Sequence, residues 1–224
     1  MIGTARPLIL GSSSPRRAEI LTTLGLPFEV RVASVDEQVR PAEAPHEYIE
    51  RIVDEKANAI AALGSIAESG APASAQVLEP VSSRVRLVAD TLVTRAGRIY
   101  GKPVDKADAL VMLEGLVGTS HEVMTRYRLD LPGGTSWART VTSQVHFRSA
   151  SRAELERYVD SGEGLDKAGA YAIQGLGSFL VERLDGSYGA VVGLPACELV
   201  ADLLALGALT AFPLAQGGTS GSAQ

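Results

Sequence analysis

Two charged side chains occupy places in the sequence that packing alone does not explain. Asp90 lies in the β-prone apolar run VRLVADTLV, residues 85–93, and Lys56 falls on the apolar stripe of a predicted helix, between Ile52 and Ile60. A buried carboxylate is costly unless it is paired or bound to a metal, and a lysine on such a stripe needs a route to solvent or an anionic partner. We therefore expect Asp90 to face a cleft at a strand end or bulge, or to hold a partner, with an internal salt bridge as the structural alternative.

Glu37 and Lys102 carry the same two kinds of charge in predicted loops. Glu37 belongs to an acidic loop that leaves a strand, and Lys102 ends a hairpin beside Pro103. Cationic side chains bind phosphate oxygens, whereas carboxylates can hold Mg²⁺ or Mn²⁺ and orient or deprotonate a water molecule. Phosphoryl and nucleotidyl chemistry needs both, because charge must be neutralised while a water is positioned in line. The four charged residues Glu37, Lys56, Asp90 and Lys102 therefore predict phosphate chemistry.

The N-terminal stretch LILGSSSPRRAEILTTL, residues 8–24, is typical of an anion cradle. A short buried strand is followed by a small-residue loop and then by a helix that starts at Pro15, with Ser14 as its predicted N-cap. Backbone N–H groups and the helix N-terminus attract anions. Arg16 and Arg17 lie in the first turn, where the helix dipole disfavours cations. A multiply charged anion between them and the helix end explains this placement, and two solvated arginines on a capped helix are the alternative.

Several common catalytic and metal-binding motifs are missing from the sequence. It contains no GxxxxGK[ST] phosphate loop and no GxSxG nucleophile elbow. His46, His121 and His146 are too far apart to form a recognisable metal motif, and we expect each on the surface or on a strand face. Cys197 is the single cysteine, which excludes a disulfide framework and a cysteine zinc site.

The composition is that of an ordinary globular protein. The 224 residues are 46% hydrophobic and 21% charged, with a net charge of −5. An acidic balance argues against general nucleic-acid binding, although it leaves room for a local basic pocket. No signal-peptide pattern and no apolar run of membrane-spanning length occurs. We therefore expect a cytoplasmic protein without a nucleic-acid or membrane partner.

The hydrophobic pattern predicts alternating strands and helices. Beyond the first strand and helix, strands are expected at 28–33, 85–93, 119–131, 136–147 and 178–184, and helices at 45–63, 105–117, 151–159 and 195–206. Residues 166–175 place specific polar side chains between glycines, which is typical of a shaped binding loop. We predict one domain over residues 1–212, with an exposed insertion at 64–84 and a flexible tail at 213–224.

Short blocks throughout the chain carry a family resemblance. In order they are SSSPRR at 12–17, Asp36-Glu37, Arg51 with 55–57, ADT at 89–91, GKP at 101–103, Gly118 with His121, and the segments 166–175, 186–188 and 191–195. With these blocks the chain resembles the Maf family of nucleoside triphosphate pyrophosphatases, which is related in fold to the house-cleaning inosine-triphosphate pyrophosphatases. The resemblance covers roughly residues 8–206.

The resemblance implies hydrolysis of a nucleoside triphosphate to the monophosphate and pyrophosphate with a divalent metal, Mg²⁺ or Mn²⁺. Carried over by position, Asp90 is the proton acceptor or water-orienting carboxylate, and Glu37 assists it in holding the metal. The groups implied to hold the triphosphate are Arg17, Lys56 and Lys102, with Ser12 and Ser14 in the cradle. A homodimer is implied by the resemblance alone.

Three positions match the branch of the family that prefers dTTP and UTP, namely Arg16, Thr91 and Gln174. Modified pyrimidine nucleotides fall within the same prediction, and the other branch acts on methylated guanine nucleotides. The amide of Gln174 can read a pyrimidine edge by hydrogen bonds. A non-catalytic regulator of cell division, or septum formation, that binds a nucleotide or a protein is the alternative. The paired carboxylates favour catalysis, because without a metal they would repel a triphosphate.

The predicted elements and the resemblance together imply an α/β fold. We expect a mixed, twisted sheet with long hairpins and flanking helices, arranged as two lobes around a nucleotide cleft. The N-terminal strand and helix should line one side of the cleft, and the loop at 166–175 the other.

Overall fold

The structure, a computed structural model, describes residues 1–68 and 81–214. Within these residues one sheet has seven strands: β1 (Leu8–Leu10), β2 (Phe28–Val30), β3 (Arg86–Arg95), β4 (Arg98–Tyr100), β5 (Ser120–Asp130), β6 (Ser136–Phe147) and β7 (Val181–Asp185). The helices are α1 (Pro15–Thr23), α2 (Pro45–Glu68), α3 (Lys106–Leu116), α4 (Arg152–Asp160), α5 (Tyr188–Val192) and α6 (Ala196–Ala205). Short 3₁₀ turns cover Val81–Ser83, Ala168–Ala170 and Gly175–Leu180.

The sheet is mixed, as predicted. β1 lies between β2 and β3 and is parallel to both, whereas β3, β5, β6 and β7 follow one another in antiparallel pairs. The short β4 pairs only with the end of β3. Parallel neighbours need crossover connections, and α1 and α2 lie in these two connections. The long β5–β6 hairpin matches the two strands predicted at 119–131 and 136–147.

The core is divided in the way that the two predicted lobes require. One large cluster packs β1 and the first half of β3 against α1 and α6. The other packs the second half of β3 against α3 and α4. A smaller cluster on the opposite face of the sheet places α2 over β1 and β3, through Val53, Ile60 and Val88. The boundary between the two large clusters runs through the middle of β3, where Asp90 and Thr91 lie.

Helix termini follow the capping signals in two places and depart from them in one. Asp105 caps α3 by accepting from the Asp108 backbone N–H, and Ser151 with Glu154 forms a complete capping box on α4. The prediction that Ser14 caps α1 was right in position but wrong in contact. Its side chain makes no capping bond, and its own N–H donates to Ser12 Oγ at 3.2 Å. The first turn of α1 therefore keeps backbone donors for another acceptor.

Several predicted boundaries were wrong. The strand predicted at 28–33 ends at Val30, and the strand predicted at 178–184 begins at Val181, after a 3₁₀ turn. Residues 186–193, where no helix or strand is predicted, contain the short helix α5. The reason is local, since the Ser187 hydroxyl caps this helix by accepting from the Ala190 backbone N–H.

The predicted insertion and tail lie partly outside the described residues, because 69–80 and 215–224 are not among them. Where residues are described, α2 continues to Glu68 and so takes up the start of the predicted insertion. At the end of the predicted insertion, Arg84 is buried and donates to Glu29 and to the Pro7 carbonyl. At the start of the predicted tail, Leu214 packs against the cluster that joins β1 and β3 to α1 and α6. In the described ranges we find no helix long and apolar enough to span a membrane.

Candidate active site

A cavity of about 310 Å³ opens where the loop between β1 and α1, the middle of β3, helix α2 and the loop at 166–175 meet. Every site residue predicted from the sequence lines this cavity, namely Ser12, Ser14, Arg16, Arg17, Glu37, Lys56, Asp90, Thr91, Lys102 and Gln174. Gly11 allows the close approach of these elements, because a Cβ there would lie 2.8 Å from Val88 Cγ2 and 3.0 Å from Ile60 Cγ1. The volume falls within the usual range of small-molecule sites.

Lys56 joins the two carboxylates at the floor of the cavity. Its Nζ lies 2.6 Å from Glu37 Oε1 and 2.8 Å from Asp90 Oδ1. The Lys56 and Asp90 side chains are only 14% and 16% exposed. The lysine on the apolar stripe therefore does not extend into solvent but pairs with the carboxylate in the apolar strand. Asp90 lies in an unbroken stretch of the β3–β5 ladder, opposite Arg126, so the expectation of a strand end or bulge was wrong and that of a partner was right.

The charges around Glu37 favour its ionised form. Desolvation raises the pKa of the Glu37 carboxyl, but the hydrogen bond from Lys56 and the charges of Lys102 and Arg17 outweigh it, so the pKa lies below its ordinary value. Lys102 follows β4 and is exposed at the cavity wall. Both carboxylates thus face a strongly cationic surrounding.

Arg17 is buried beneath the cradle rather than solvated. Its Nε donates to the Gly193 carbonyl at 2.9 Å, Nη1 to Ser12 Oγ at 2.8 Å and Nη2 to Thr91 Oγ1 at 3.1 Å. Burial lowers the pKa of this guanidinium, with Asp90 acting in the opposite direction, but arginine stays charged. A guanidinium has five N–H donors, so two remain for a ligand. Gly193 adopts a φ of 131°, which favours glycine, and so turns its carbonyl toward Arg17.

Thr91 is held in a short chain of hydroxyl groups. Its Oγ1 lies 2.8 Å from Thr125 Oγ1, and Thr125 Oγ1 donates to the Ala190 carbonyl at 2.6 Å. Because the Thr125 hydrogen is directed to that carbonyl, the Thr91 hydroxyl must donate to Thr125. Thr91 then accepts from Arg17 and has no hydrogen left for a substrate. The structure therefore links Thr91 to the cradle through Arg17.

The loop at 166–175 forms the opposite wall, and Glu163 binds the backbone that directly follows it. The two carboxylate oxygens of Glu163 accept from the backbone N–H groups of Leu176 and Gly177, at 2.8 and 2.7 Å. Gln174 is exposed at the cavity wall. Arg16 reaches across to Asp166 with a long separation of 3.9 Å. Such a weak ion pair with an exposed carboxylate exchanges readily for a ligand.

Among the residues that the structure describes, no group of three or more His, Cys, Asp or Glu side chains is arranged to hold a metal ion. The two carboxylates that the sequence predicts as metal ligands, Glu37 and Asp90, nevertheless share a single cation, the Lys56 ammonium.

The comparison with known proteins decides the family. The family model described as Maf-like protein matches residues 7–206. The chain belongs to the Maf family. The dTTP/UTP pyrophosphatase of Hahella chejuensis is 46% identical over 87% of this chain and 90% of its own length. The dTTP/UTP pyrophosphatase of Geobacter sulfurreducens is 42% identical over 90% of this chain and 97% of its own length.

A solved structure, that of a nucleoside-triphosphatase, dITP/XTP pyrophosphatase, from Mycobacterium abscessus, matches 89% of this chain and 93% of its own at 11% identity. Its TM-score of 0.37 is too low to support a conclusion about the Maf-family chain.

One residue of the Maf blocks lies on a strand face, one of the two places predicted for it, and is buried there. His121 is not on the surface but is buried, with its Nε2 2.8 Å from the hydroxyl of Tyr171 and its ring nearly perpendicular to that of Phe147. Tyr171 is itself buried and lines the cavity from the loop at 166–175. Burial lowers the pKa of His121 to about 4, with smaller contributions from the charges of His146 and Arg95. His121 is therefore neutral at neutral pH and anchors the loop to β5.

This buried histidine gives a testable pH dependence of stability. Because its folded pKa of about 4 lies below the ordinary 6.5, the unfolded chain binds the proton first as pH falls through this interval. Because the histidine stays neutral in the folded chain, we expect the free energy of unfolding to fall by roughly 2 kcal/mol from pH 7 to pH 4.5. Urea unfolding of His121→Gln should lack this loss, whereas the control His46→Gln, at an exposed position, should retain it. Equal slopes for both variants would contradict the assignment.

Several cavity residues were missed by sequence reasoning. Tyr48 on α2, Val32 after β2 and Tyr171 in the loop all line the cavity. Tyr48 lies eight residues before Lys56 along α2, so helical spacing gave a usable signal. Tyr171 lies within the binding loop predicted at 166–175, although the sequence does not single it out there. Val32 is an apolar residue in irregular chain, and no local pattern distinguishes it from a core residue.

Proposed function

We propose that this chain hydrolyses dTTP and UTP, and modified pyrimidine nucleotides of the same shape, to the monophosphate and pyrophosphate. The observation that carries the proposal is the convergence of Asp90 and Glu37 on the Lys56 ammonium, in a cavity also lined by Arg17 and Lys102. The names of the relatives from Hahella and Geobacter support the same reaction and the same nucleotides. They also favour an enzyme over the non-catalytic regulator of cell division.

The donor set fits a divalent metal, Mg²⁺ or Mn²⁺. Mg²⁺ in phosphate sites is held by one or two carboxylates, with substrate phosphates and waters as the other ligands. Glu37 and Asp90 are two carboxylates that already share one cation, and they would hold the metal. When bound, the metal would neutralise phosphate charge and lower the pKa of a coordinated water.

The cationic side chains would hold the triphosphate. Arg17 offers its two remaining N–H donors from below, and the loop backbone beside Ser12 and Ser14 adds donors at the start of α1. Lys102 approaches from the other wall, and Lys56 can turn from the carboxylates to the phosphates. These groups would stabilise the negative charge that builds up on the phosphate oxygens in the transition state. Contacts made to that charge accelerate the reaction most.

Asp90 would act on the attacking water. Its position at the floor, within reach of one cation and beside the cradle, suits a carboxylate that orients the water and accepts its proton. Glu37 has a lowered pKa and remains ionised, so it would supply charge rather than a proton. The two carboxylates thus take different parts in the same step.

Base selection would come from Gln174 and Arg16, on opposite walls of the cavity. We expect Gln174→Ala to lower kcat/KM for dTTP and UTP about tenfold, the effect of one lost hydrogen bond, and to change that for purine triphosphates less. The matched control is Gln144→Ala, at an exposed position on β6. Equal losses for all nucleotides would contradict a role in selection.

The reaction is tested by pyrophosphate release from a panel of nucleoside triphosphates with Mg²⁺, with Mn²⁺ and with EDTA. We expect metal-dependent release, fastest from dTTP and UTP. Nucleotide binding without release from any of them would favour the regulator. Homodimeric assembly and residence in the cytoplasm stay predictions of the sequence, and sedimentation at equilibrium tests the first.

A further inference from the structure

Glu37 lies in a stretch of 14 residues, 31–44, that has neither helix nor strand. A carboxylate on such a loop has no ladder to fix its position, yet Glu37 Oε1 meets Lys56 Nζ at 2.6 Å. Groups that act on a substrate must be held close to their productive geometry by neighbouring contacts. Something other than regular secondary structure must therefore hold this loop.

Two side chains of α2 hold the backbone on both sides of Glu37. Tyr48 donates its hydroxyl hydrogen to the Glu37 carbonyl at 3.0 Å. Arg51 Nη2 donates to the Gln38 carbonyl at 3.0 Å, and its Nη1 makes a longer contact of 3.5 Å with the Asp36 carbonyl. Three consecutive carbonyls, at 36, 37 and 38, are thus bound to the helix that also carries Lys56.

Arg51 is itself fixed by a two-point ion pair. Its Nε and Nη2 donate to the two carboxylate oxygens of Glu43, at 2.6 and 2.8 Å. The side chains are only 12% and 8% exposed. The hydrogen bond from Arg51 lowers the pKa of Glu43 to about 2, so the pair stays ionised through the range of any assay. Ala42, next to Glu43, adopts a φ of 60°, a conformation that alanine keeps only when its surroundings impose it.

We propose that Arg51 and Tyr48 are positioning residues that place the Glu37 carboxylate against Lys56 and Asp90. Neither acts on the substrate in this role. Arg51 joins the end of the loop, through Glu43, to the carbonyls beside Glu37, and Tyr48 fixes the carbonyl of Glu37 itself. The inference rests on the proposed function only in making Glu37 part of the reacting site, since the contacts are features of the free protein.

Arg51 cannot be replaced by lysine in this role, because an ammonium lacks the planar fork that serves a carboxylate and two carbonyls together. We expect both Arg51→Lys and Arg51→Met to lower kcat for dTTP by about tenfold to a hundredfold, the scale of a misplacement near 1 Å, with a smaller change in KM. Tyr48→Phe removes one hydrogen bond and should have a smaller effect in the same direction. Arg31→Met is the matched control, since the exposed side chain of Arg31 lies on the same loop but pairs with Glu29 on β2 and not with α2.

Two measurements decide the proposal. In the first, the effect of Arg51→Lys on kcat is measured in the wild-type chain and in the Glu37→Gln variant. If Arg51 acts through Glu37, Arg51→Lys adds no further loss in the Glu37→Gln background. In the second, hydrogen exchange of the peptide 31–44 is followed in the free protein. Exchange should become faster in Arg51→Lys and Tyr48→Phe but not in Arg31→Met.

Losses that multiply in the double variant, or exchange that stays at the wild-type rate, would overturn the proposal. If the wild-type chain hydrolyses no nucleotide, the proposed function fails, and hydrogen exchange alone still decides whether Arg51 and Tyr48 hold the loop. Tyr48→Phe removes a single hydroxyl, so it keeps the exchange measurement decisive if the Arg51 variants do not fold.

Discussion

Asp90→Asn is expected to lower kcat for dTTP by about 10²- to 10⁴-fold, the usual contribution of a positioned acid or base. Asparagine keeps the shape of the side chain, and its amide oxygen can still accept from Lys56, which lies 2.8 Å from Asp90 Oδ1. It can neither accept a proton from water nor supply negative charge to a metal. The loss should therefore appear in kcat while the thermal melting curve stays cooperative. The measurement is pyrophosphate release together with circular dichroism.

The matched control for Asp90→Asn is Asp54→Asn. Asp54 is a half-exposed carboxylate on α2 that pairs with Arg128 at 2.9 Å, away from the cavity wall. The same loss of charge there should leave kcat near the wild-type value. Activity of Asp90→Asn within tenfold of the wild type would remove Asp90 from the reaction.

Lys56→Met is expected to affect both turnover and stability. Turnover of dTTP should fall about a hundredfold or more, because one charged donor to the phosphates is lost. The methionine suits the apolar stripe of α2, but Asp90 and Glu37 then face each other without a cation. Since Asp90 is only 16% exposed, the lost ion pair should lower the free energy of unfolding by about 1–3 kcal/mol. Chemical denaturation measures this change.

A divalent metal should restore part of this stability. If Asp90 and Glu37 are the metal ligands, millimolar Mg²⁺ or Mn²⁺ raises the melting temperature of Lys56→Met more than that of the wild type, in which Lys56 competes for the same oxygens. Lys106→Met is the control, since its ammonium pairs with Asp160 on exposed surface. A Lys56→Met protein that melts lower yet turns over dTTP at the wild-type rate would make Lys56 a structural residue.

The sequence predicted the centre of the site because its residues conflict with their local patterns. Lys56 on an apolar stripe and Asp90 in an apolar strand each needed a partner, and the structure pairs them. Arg17 conflicts in the same way with the helix dipole, and it lies buried under the cradle. Such conflicts between local pattern and residue type are expected at functional sites.

The parts that could not be predicted depend on contacts to backbone atoms. Arg51 and Tyr48 bind carbonyls at 36–38, and Glu163 binds the N–H groups of Leu176 and Gly177. Any residue supplies the same carbonyl or N–H, so the sequence gives no sign of which ones are bound. For the same reason the boundaries of the two cavity loops were less accurate than those of the regularly alternating strands β5 and β6.

His121 shows a different limit. Its strand alternates regularly, which predicted the strand correctly but not that this position faces the inside of the second lobe. The partner that makes burial acceptable, Tyr171, lies 50 residues away in an irregular loop. A single sequence contains no pairing information at that separation.

The identity of the products tests the proposed reaction most directly. Incubation of dTTP with the wild-type chain and Mg²⁺ should yield dTMP and pyrophosphate in equal amounts, resolved by phosphorus-31 NMR, with no reaction in EDTA and none above background in Asp90→Asn. Formation of dTDP and inorganic phosphate would contradict cleavage between the α- and β-phosphates. Unchanged dTTP in a sample that binds the nucleotide would contradict catalysis altogether.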